Sequence, residues 1–316
     1  MADATIFEPV LPASPVKPAA YRKLLRNPGV VFGAAVIAIV LLMGLFAPWL
    51  GTIDPTAISP IARNKVPGAE ITMRTDTGER IKMIAKFGTD GLGRDVYSRV
   101  IYGARVSLLV GFLSAVVAVV VGTVLGALAG YFGGWLDAVI SRVMDMLLAF
   151  PQLLFIISLI SVVPNQMFGL TGTGVRLTVM ILVIGFFGWP YIGRIVRGQT
   201  LSLREREYVE AARSLGAGRR YILFKELLPN LIAPITVYTT LMIPTNILTE
   251  AALSFLGVGV KPPTASWGQM LSQAVRYYEA DPVYMVVPGV AIFITVLSFN
   301  LFGDGVRDAL DPKGTR

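Results

Sequence analysis

The polar and apolar positions of this chain separate into long blocks. Asp, Glu, Lys and Arg are absent from 27–53, 106–136, 146–175, 177–193, 227–249 and 282–303, runs of 27, 31, 30, 17, 23 and 22 residues. A helix crossing the hydrocarbon core of a bilayer needs about 20 apolar residues, within a range of roughly 17–25, whereas runs of about 10–14 suit buried helices of soluble domains. Six membrane-length runs predict an all-α membrane protein with six transmembrane helices. Every backbone polar group inside hydrocarbon must be paired within its own segment, so helix is expected despite the Val, Ile and Gly content. The stretch 29–50 is longer than the apolar region of a signal peptide and closes on Ala47-Pro48-Trp49-Leu50, so it reads as a retained first span.

These blocks divide the chain into a tail (1–28), the first transmembrane helix (29–50), a loop (51–105), a five-helix core (106–303) and a second tail (304–316). The core includes a charged connection at 198–229. The basic stub Tyr21-Arg22-Lys23-Leu24-Leu25-Arg26 favours the cytoplasmic side for the N-terminal tail, and six crossings return the C-terminal tail there. The loop 51–105 is then extracytoplasmic. It carries many Lys and Arg of its own, so the inner excess of basic residues is narrow. Its turn-rich part, Gly88-Thr89-Asp90-Gly91-Leu92-Gly93-Arg94-Asp95, precedes a short helix expected over Val96–Tyr102 that leads into the second span.

Composition narrows the chemistry. The 316 residues contain no Cys and no His, which excludes thiol and imidazole nucleophiles, Cys/His zinc sites and disulfides. Hydrophobic residues make up 54% and charged residues only 15%, and the net charge of +8 comes from residues that flank the spans. That distribution suits contact with membrane lipid, not the interleaved basic and aromatic surface of a nucleic-acid binder. No Lys follows a Gly, so there is no phosphate loop and the chain is not expected to hydrolyse nucleotide. No enzyme activity, cofactor or metal is expected in it.

Within the spans, Ala118, Gly122, Gly126 and Gly130 line one helical face, where another helix can approach closely. That face serves either packing inside this chain or contact with a partner subunit. Arg142 and Asp145 share a face at the start of the third span and are placed to pair. Pro151 frees a backbone carbonyl and is expected to kink that span, with Pro190, Pro234, Pro244 and Pro288 repeating the theme. In the charged connection, Tyr208, Ala211, Ala212 and Leu215 share one face of a short helix, with Glu207, Glu210 and Arg213 elsewhere, and Gly216 stands where the helix should stop. This helix is either a piece that inserts into a groove of another protein or an incidental element of a solvated loop.

The segment from Glu210-Ala211-Ala212 through Gly216 to Leu227-Leu228-Pro229-Asn230 resembles the EAA loop of ABC importer permeases. Further stretches resemble the dipeptide and oligopeptide permeases in the same order along the chain. They are Gly88-Thr89-Asp90 to Ser107-Leu108, Ala129-Gly130-Tyr131-Phe132-Gly133-Gly134, and Glu250-Ala251-Ala252-Leu253-Ser254-Phe255-Leu256-Gly257. Pro262-Pro263 to Met270-Leu271 and Phe299-Asn300 to Asp311-Pro312 are similar to the second, "C-type", permease of such systems. The resemblance implies a type I importer permease fold in a bacterial inner membrane, forming half of an alternating-access path for dipeptides or oligopeptides. It implies Glu207, Tyr208, Glu210, Ala211, Ala212, Arg213, Leu215 and Gly216 as the coupling helix. It also implies a second homologous permease, two ATPase subunits that carry ATP and Mg, and an external substrate-binding protein. Segment 56–87, with Thr75-Asp76-Thr77-Gly78-Glu79-Arg80, is longer than the shortest family members need.

Only the first of the two Glu-Ala-Ala strings is charged enough to dock in water. Glu250 is therefore expected either to face the transport path, with Pro244 and Asn246 nearby, or to sit in the outer headgroup layer paired locally. Related permeases also serve nickel, glutathione and oligosaccharides. A transporter or channel without ATPases is the alternative class, and it predicts paired intramembrane charges and inverted repeats. The sequence offers only Glu250, with Asp145 and Arg142 near a span edge, and no evident repeat.

Overall fold

In the computed structural model, residues 24–74, 80–164, 166–167 and 169–310 are described. The expected tail before Leu24, the stretch Thr75–Glu79 and residues 311–316 lie outside them. Helix α1 (Pro28–Leu45) opens on Asn27, whose side chain accepts from the Gly29 amide at 3.0 Å, with Pro28 preset for a first helical turn. Helix α2 (Val96–Phe132) begins well before the boundary expected at 106, because the Asp95 carboxylate caps it by accepting from the Ser98 amide at 2.8 Å. Its 37 residues extend about 55 Å at 1.5 Å per residue, well beyond a ~30 Å hydrocarbon core.

The run 146–175 is not one straight span. It is divided between α3 (Gly134–Ala149), α4 (Gln152–Ser161) and a small hairpin of β3 (Gln166–Met167) with β4 (Leu170–Thr171), and α3 meets α4 at 84°. Pro151 explains the break. Its ring drives Phe150 out of the helical region to φ −76°, ψ 141°, so the expected kink becomes a corner. Among the described residues five helices are long and apolar enough to cross a membrane, six if α3 and α4 form one broken crossing.

Helix α5 (Thr173–Leu203) absorbs the run 177–193 and continues through Arg194 and Arg197. Those charges do not end it, because α3 supplies their partners: Asp145 pairs with Arg194 at 2.5 Å, and Asp137 grips Arg197 through both carboxylate oxygens. The expected Arg142–Asp145 pair is therefore replaced by one between helices. A short α6 (Glu207–Ser214) follows, then α7 (Arg219–Phe255), α8 (Trp267–Ala274) and α9 (Pro282–Leu310). The EAA connection is thus shorter than 198–229. Residues Ile222–Leu227 of α7 form a π-helical stretch, in which the Leu228 amide reaches back to the Leu223 carbonyl.

Helices α2 and α5 run parallel, with Gly185 against Val117, Gly122 against Ile192 and Gly130 against Thr200. Helix α7 returns antiparallel, setting Ile247 on Gly111. Leu108, Ala115, Ala118, Ile192, Val196, Leu231 and Ile247 pack where these three helices meet. Helix α1 lies beside the far end of α9, with Val30 against Gly305. One end of the bundle thus carries α6, the start of α1 and the end of α9. The other carries residues 51–95, including the antiparallel hairpin β1 (Glu70–Arg74) with β2 (Arg80–Ile84), whose register pairs Thr72 with Lys82.

Candidate functional site

At one end of the bundle, α6 is a short amphipathic helix with a defined stop. Gly216 adopts φ +84°, and the Gly216 and Ala217 amides reach back to the Arg213 and Ala212 carbonyls at 2.9 Å each. This is a Schellman closure, in which glycine carries the left-handed residue without a Cβ penalty. The inward anchor is Val209, fully buried against Ile222 and Leu227 with Tyr131 and Leu203 alongside. Sequence periodicity does not single it out, because Val209 lies outside the stripe Tyr208, Ala211, Ala212 and Leu215 that shares one helical face.

In the structure only Ala212 of that stripe is half-buried. Tyr208, Ala211 and Leu215 face out, and Leu215 is 89% exposed. Glu207, Glu210 and Arg213 are exposed as well. Part of the Tyr208 ring is nonetheless covered, and that, with Glu226 adding its charge, pushes its phenol above the usual range. Among the described residues the outward face therefore joins an apolar strip without a partner to a charged rim.

The other end is built in the opposite way. Asp90 accepts from the Leu92 and Arg94 amides at 2.9 Å, and its second oxygen holds Arg94 Nε at 2.7 Å and lies 3.6 Å from Arg99 Nε. Arg94 Nη2 donates to Gln273 Oε1 and Arg99 Nη2 to Gln269 Oε1, each at 2.7 Å. Tyr284 Oη donates to the same Gln273 oxygen at 3.2 Å. Arg94 and Arg99 are at most 2% exposed, so the turn-rich segment and the start of α2 are locked to α8 and α9 by charge-assisted bonds out of water. Burial raises the Asp95 carboxyl against the opposing Ser98 hydrogen bonds. Sequence reading quoted Asp90, Arg94 and Arg99 for their resemblance but gave no role to Gln269 or Gln273. Their signal was two glutamines one helical turn apart on α8.

Glu250 is paired locally, as one expectation has it, but inside the protein. It is fully buried, accepting from Ser107 of α2 at 2.8 Å and from Ser254 of α7 at 2.7 Å. The Ser107 oxygen in turn accepts from the Trp267 amide at 3.3 Å, and Ser254 from the Val260 amide at 3.0 Å. Among the described residues no cation lies within ion-pair distance of it. The carboxylate faces neither an open path nor an outer surface; it ties α2 and α7 to the start of α8. Pro244 and Asn246 are buried too, with Asn246 Nδ2 donating to the Gly111 carbonyl at 3.4 Å. Gly122, Gly126 and Gly130 meet α5 of the same chain, where a Cβ on Gly122 would come within 2.8 Å of Ile192 and of the Trp189 carbonyl. The face offered to a partner in one reading is occupied from within.

The family described as "Binding-protein-dependent transport system inner membrane component" matches residues 122–316, and "N-terminal TM domain of oligopeptide transport permease C" matches residues 19–67. A dipeptide transport system permease protein of Alkalihalophilus pseudofirmus is 39% identical over 294 residues, 93% of this chain and 89% of that protein. A glutathione transport system permease protein of Salmonella typhimurium is 47% identical over 227 residues, 72% of each. Among solved structures, the inward-facing MetNI methionine ABC transporter has a chain that aligns with a TM-score of 0.54 at 21% identity, covering 67% of this chain and 96% of its own; that likeness is one of fold. With at least five helices of membrane-crossing length among the described residues, a family match over residues 122–316 and a relative aligned along nearly its whole length, the chain belongs to the binding-protein-dependent transport system inner membrane components, the permease subunits of ABC importers.

Proposed function

We propose that this chain forms half of the translocation path of an ATP-driven importer of dipeptides and short oligopeptides, working by alternating access beside a second, homologous permease. Two ATPase subunits carry the ATP and Mg, and an external binding protein delivers cargo. The observation that supports this best is the outward strip Tyr208, Ala211 and Leu215 on a helix anchored by Val209 and stopped at Gly216. A short helix with a buried anchor and an unpartnered apolar face suits a cleft on another protein. In this reading the α6 end, with both tails, is cytoplasmic, and the end bearing residues 51–95 is external. Motion of the ATPases moves α6, and the spans follow as packed bodies.

The test is uptake of a labelled dipeptide by the complete complex in proteoliposomes. Uptake should require ATP, and Leu215→Glu should reduce it at least tenfold while the permease pair remains intact. Dipeptide movement without nucleotide, or full uptake by the variant, defeats the proposal. The glutathione permease relative supports labelled glutathione as a second cargo in the same assay.

A further inference from the structure

Beside the Asp90 lock, at the end bearing residues 51–95, lies a cavity of about 320 Å³. That is near the lower bound of about 300–1,000 Å³ for small-molecule sites. Arg94, Gln269 and Gln273 line it with Tyr284, and Lys261 and Arg276 are exposed on its walls. Asp90 is the one acid among its lining residues, and both Arg94 and Arg99 already claim it. The nearby acids do not line the cavity: Asp95 caps α2 and Asp281 caps α9, accepting from the Tyr284 amide at 3.3 Å, each through one oxygen while its other oxygen is buried without a partner.

The hydrogen bonds leave donors in excess. Gln269 and Gln273 both turn their carbonyl oxygens to arginines, so each retains an amide NH₂ with no protein acceptor among the described residues. Arg94 uses Nε on Asp90 and Nη2 on Gln273, leaving Nη1 in the same condition. A cavity lined by three cations, one neutralised acid and two amide donors has the character of an anion site, and a planar carboxylate matches a guanidinium edge best.

We infer that this cavity binds a free carboxylate, the C-terminal carboxylate of a short peptide. This rests on the peptide reading of the cargo. A carboxylate terminus is the group that peptides of every sequence share, so a site that grips it admits many side chains while rejecting blocked ends. Lys261 and Arg276 draw the group in, and Arg94 with the two glutamines receives it. Its position at the external end of the bundle, in that reading, makes it a receiving station before the spans open.

The experiment is calorimetric titration of the complete complex in nanodiscs, without binding protein, using trialanine and trialanine amide. Trialanine should bind at least tenfold more tightly than its amide. The pair Lys261→Ala with Arg276→Ala should weaken trialanine at least tenfold and leave the amide unchanged. Arg276→Lys should restore most of the binding in a Lys261 background. Intact assembly by size exclusion shows that the losses are local. Equal binding of acid and amide, or unchanged binding in the double variant, overturns the inference. So does unchanged trialanine binding with lost docking of the external protein, which assigns the cavity to an acidic side chain of that protein. Dipeptide uptake in the same preparation separates the two proposals: acid-selective binding without dipeptide uptake sustains the cavity and removes the cargo.

Discussion

The two ends of the bundle are both rich in charge and differ in where the charge goes. At the end bearing residues 51–95, Asp90, Arg94 and Arg99 are withdrawn from water, and the two arginines are bound to glutamines from α8. At the α6 end, Glu207, Glu210 and Arg213 remain solvated, and a single side chain, Val209, holds the helix down. Buried charges must be paired and are costly to disturb; exposed ones contribute little to stability and leave a surface free to bind. One end is therefore a clamp, and the other, in the proposed function, a handle.

The contrast breaks most visibly at the clamp. Asp90→Ala leaves two buried guanidinium groups without their acid, and loss of one partner of a buried pair costs about 3–5 kcal/mol. Thermal unfolding in detergent micelles should show a large drop in midpoint or in folded yield. An unchanged midpoint would mean that water reaches the arginines. Gly216→Val should cost less, about 1–2 kcal/mol, because a side chain at φ +84° meets the following carbonyl. Hydrogen exchange should localise that loss to α6 and spare α8. Leu215→Glu should have the smallest effect, within about 0.5 kcal/mol of wild type in the same unfolding measurement, since the residue is 89% exposed. A larger change would mean that α6 lies against its own chain on that side.

Much of this architecture was legible in the sequence because membranes impose length. The runs without charge located the crossings, and the glycine after Leu215 located the end of α6. Helix ends decided by local bonds were harder to place: the helix expected at Val96–Tyr102 proves continuous with the second span, and α5 continues through Arg194 and Arg197 because Asp145 and Asp137 wait on another helix. The inward anchor of α6 was not legible, since Val209 lies outside the stripe at Tyr208 and its burial is decided only once Ile222 and Leu227 of α7 are packed beside it. Long-range pairing was the least accessible part. Arg94 and Gln273 lie 179 residues apart, and neither carries a local mark of the other. Glu250 shows the same limit, because an acid satisfied by serine hydroxyls looks in sequence like one that faces a channel.

The π-helical stretch Ile222–Leu227 stands between the handle and the span it would move. Such a stretch stores an additional residue within a hydrogen-bonded helix. Tightening it to ordinary helical winding would swivel what precedes it by about 100° and shift it about 1.5 Å along the axis, the increments of one residue. The joint between α6 and α7 thus has a built-in gearing: a screw step at the base of the crossing, made without parting the chain from its own backbone ladder.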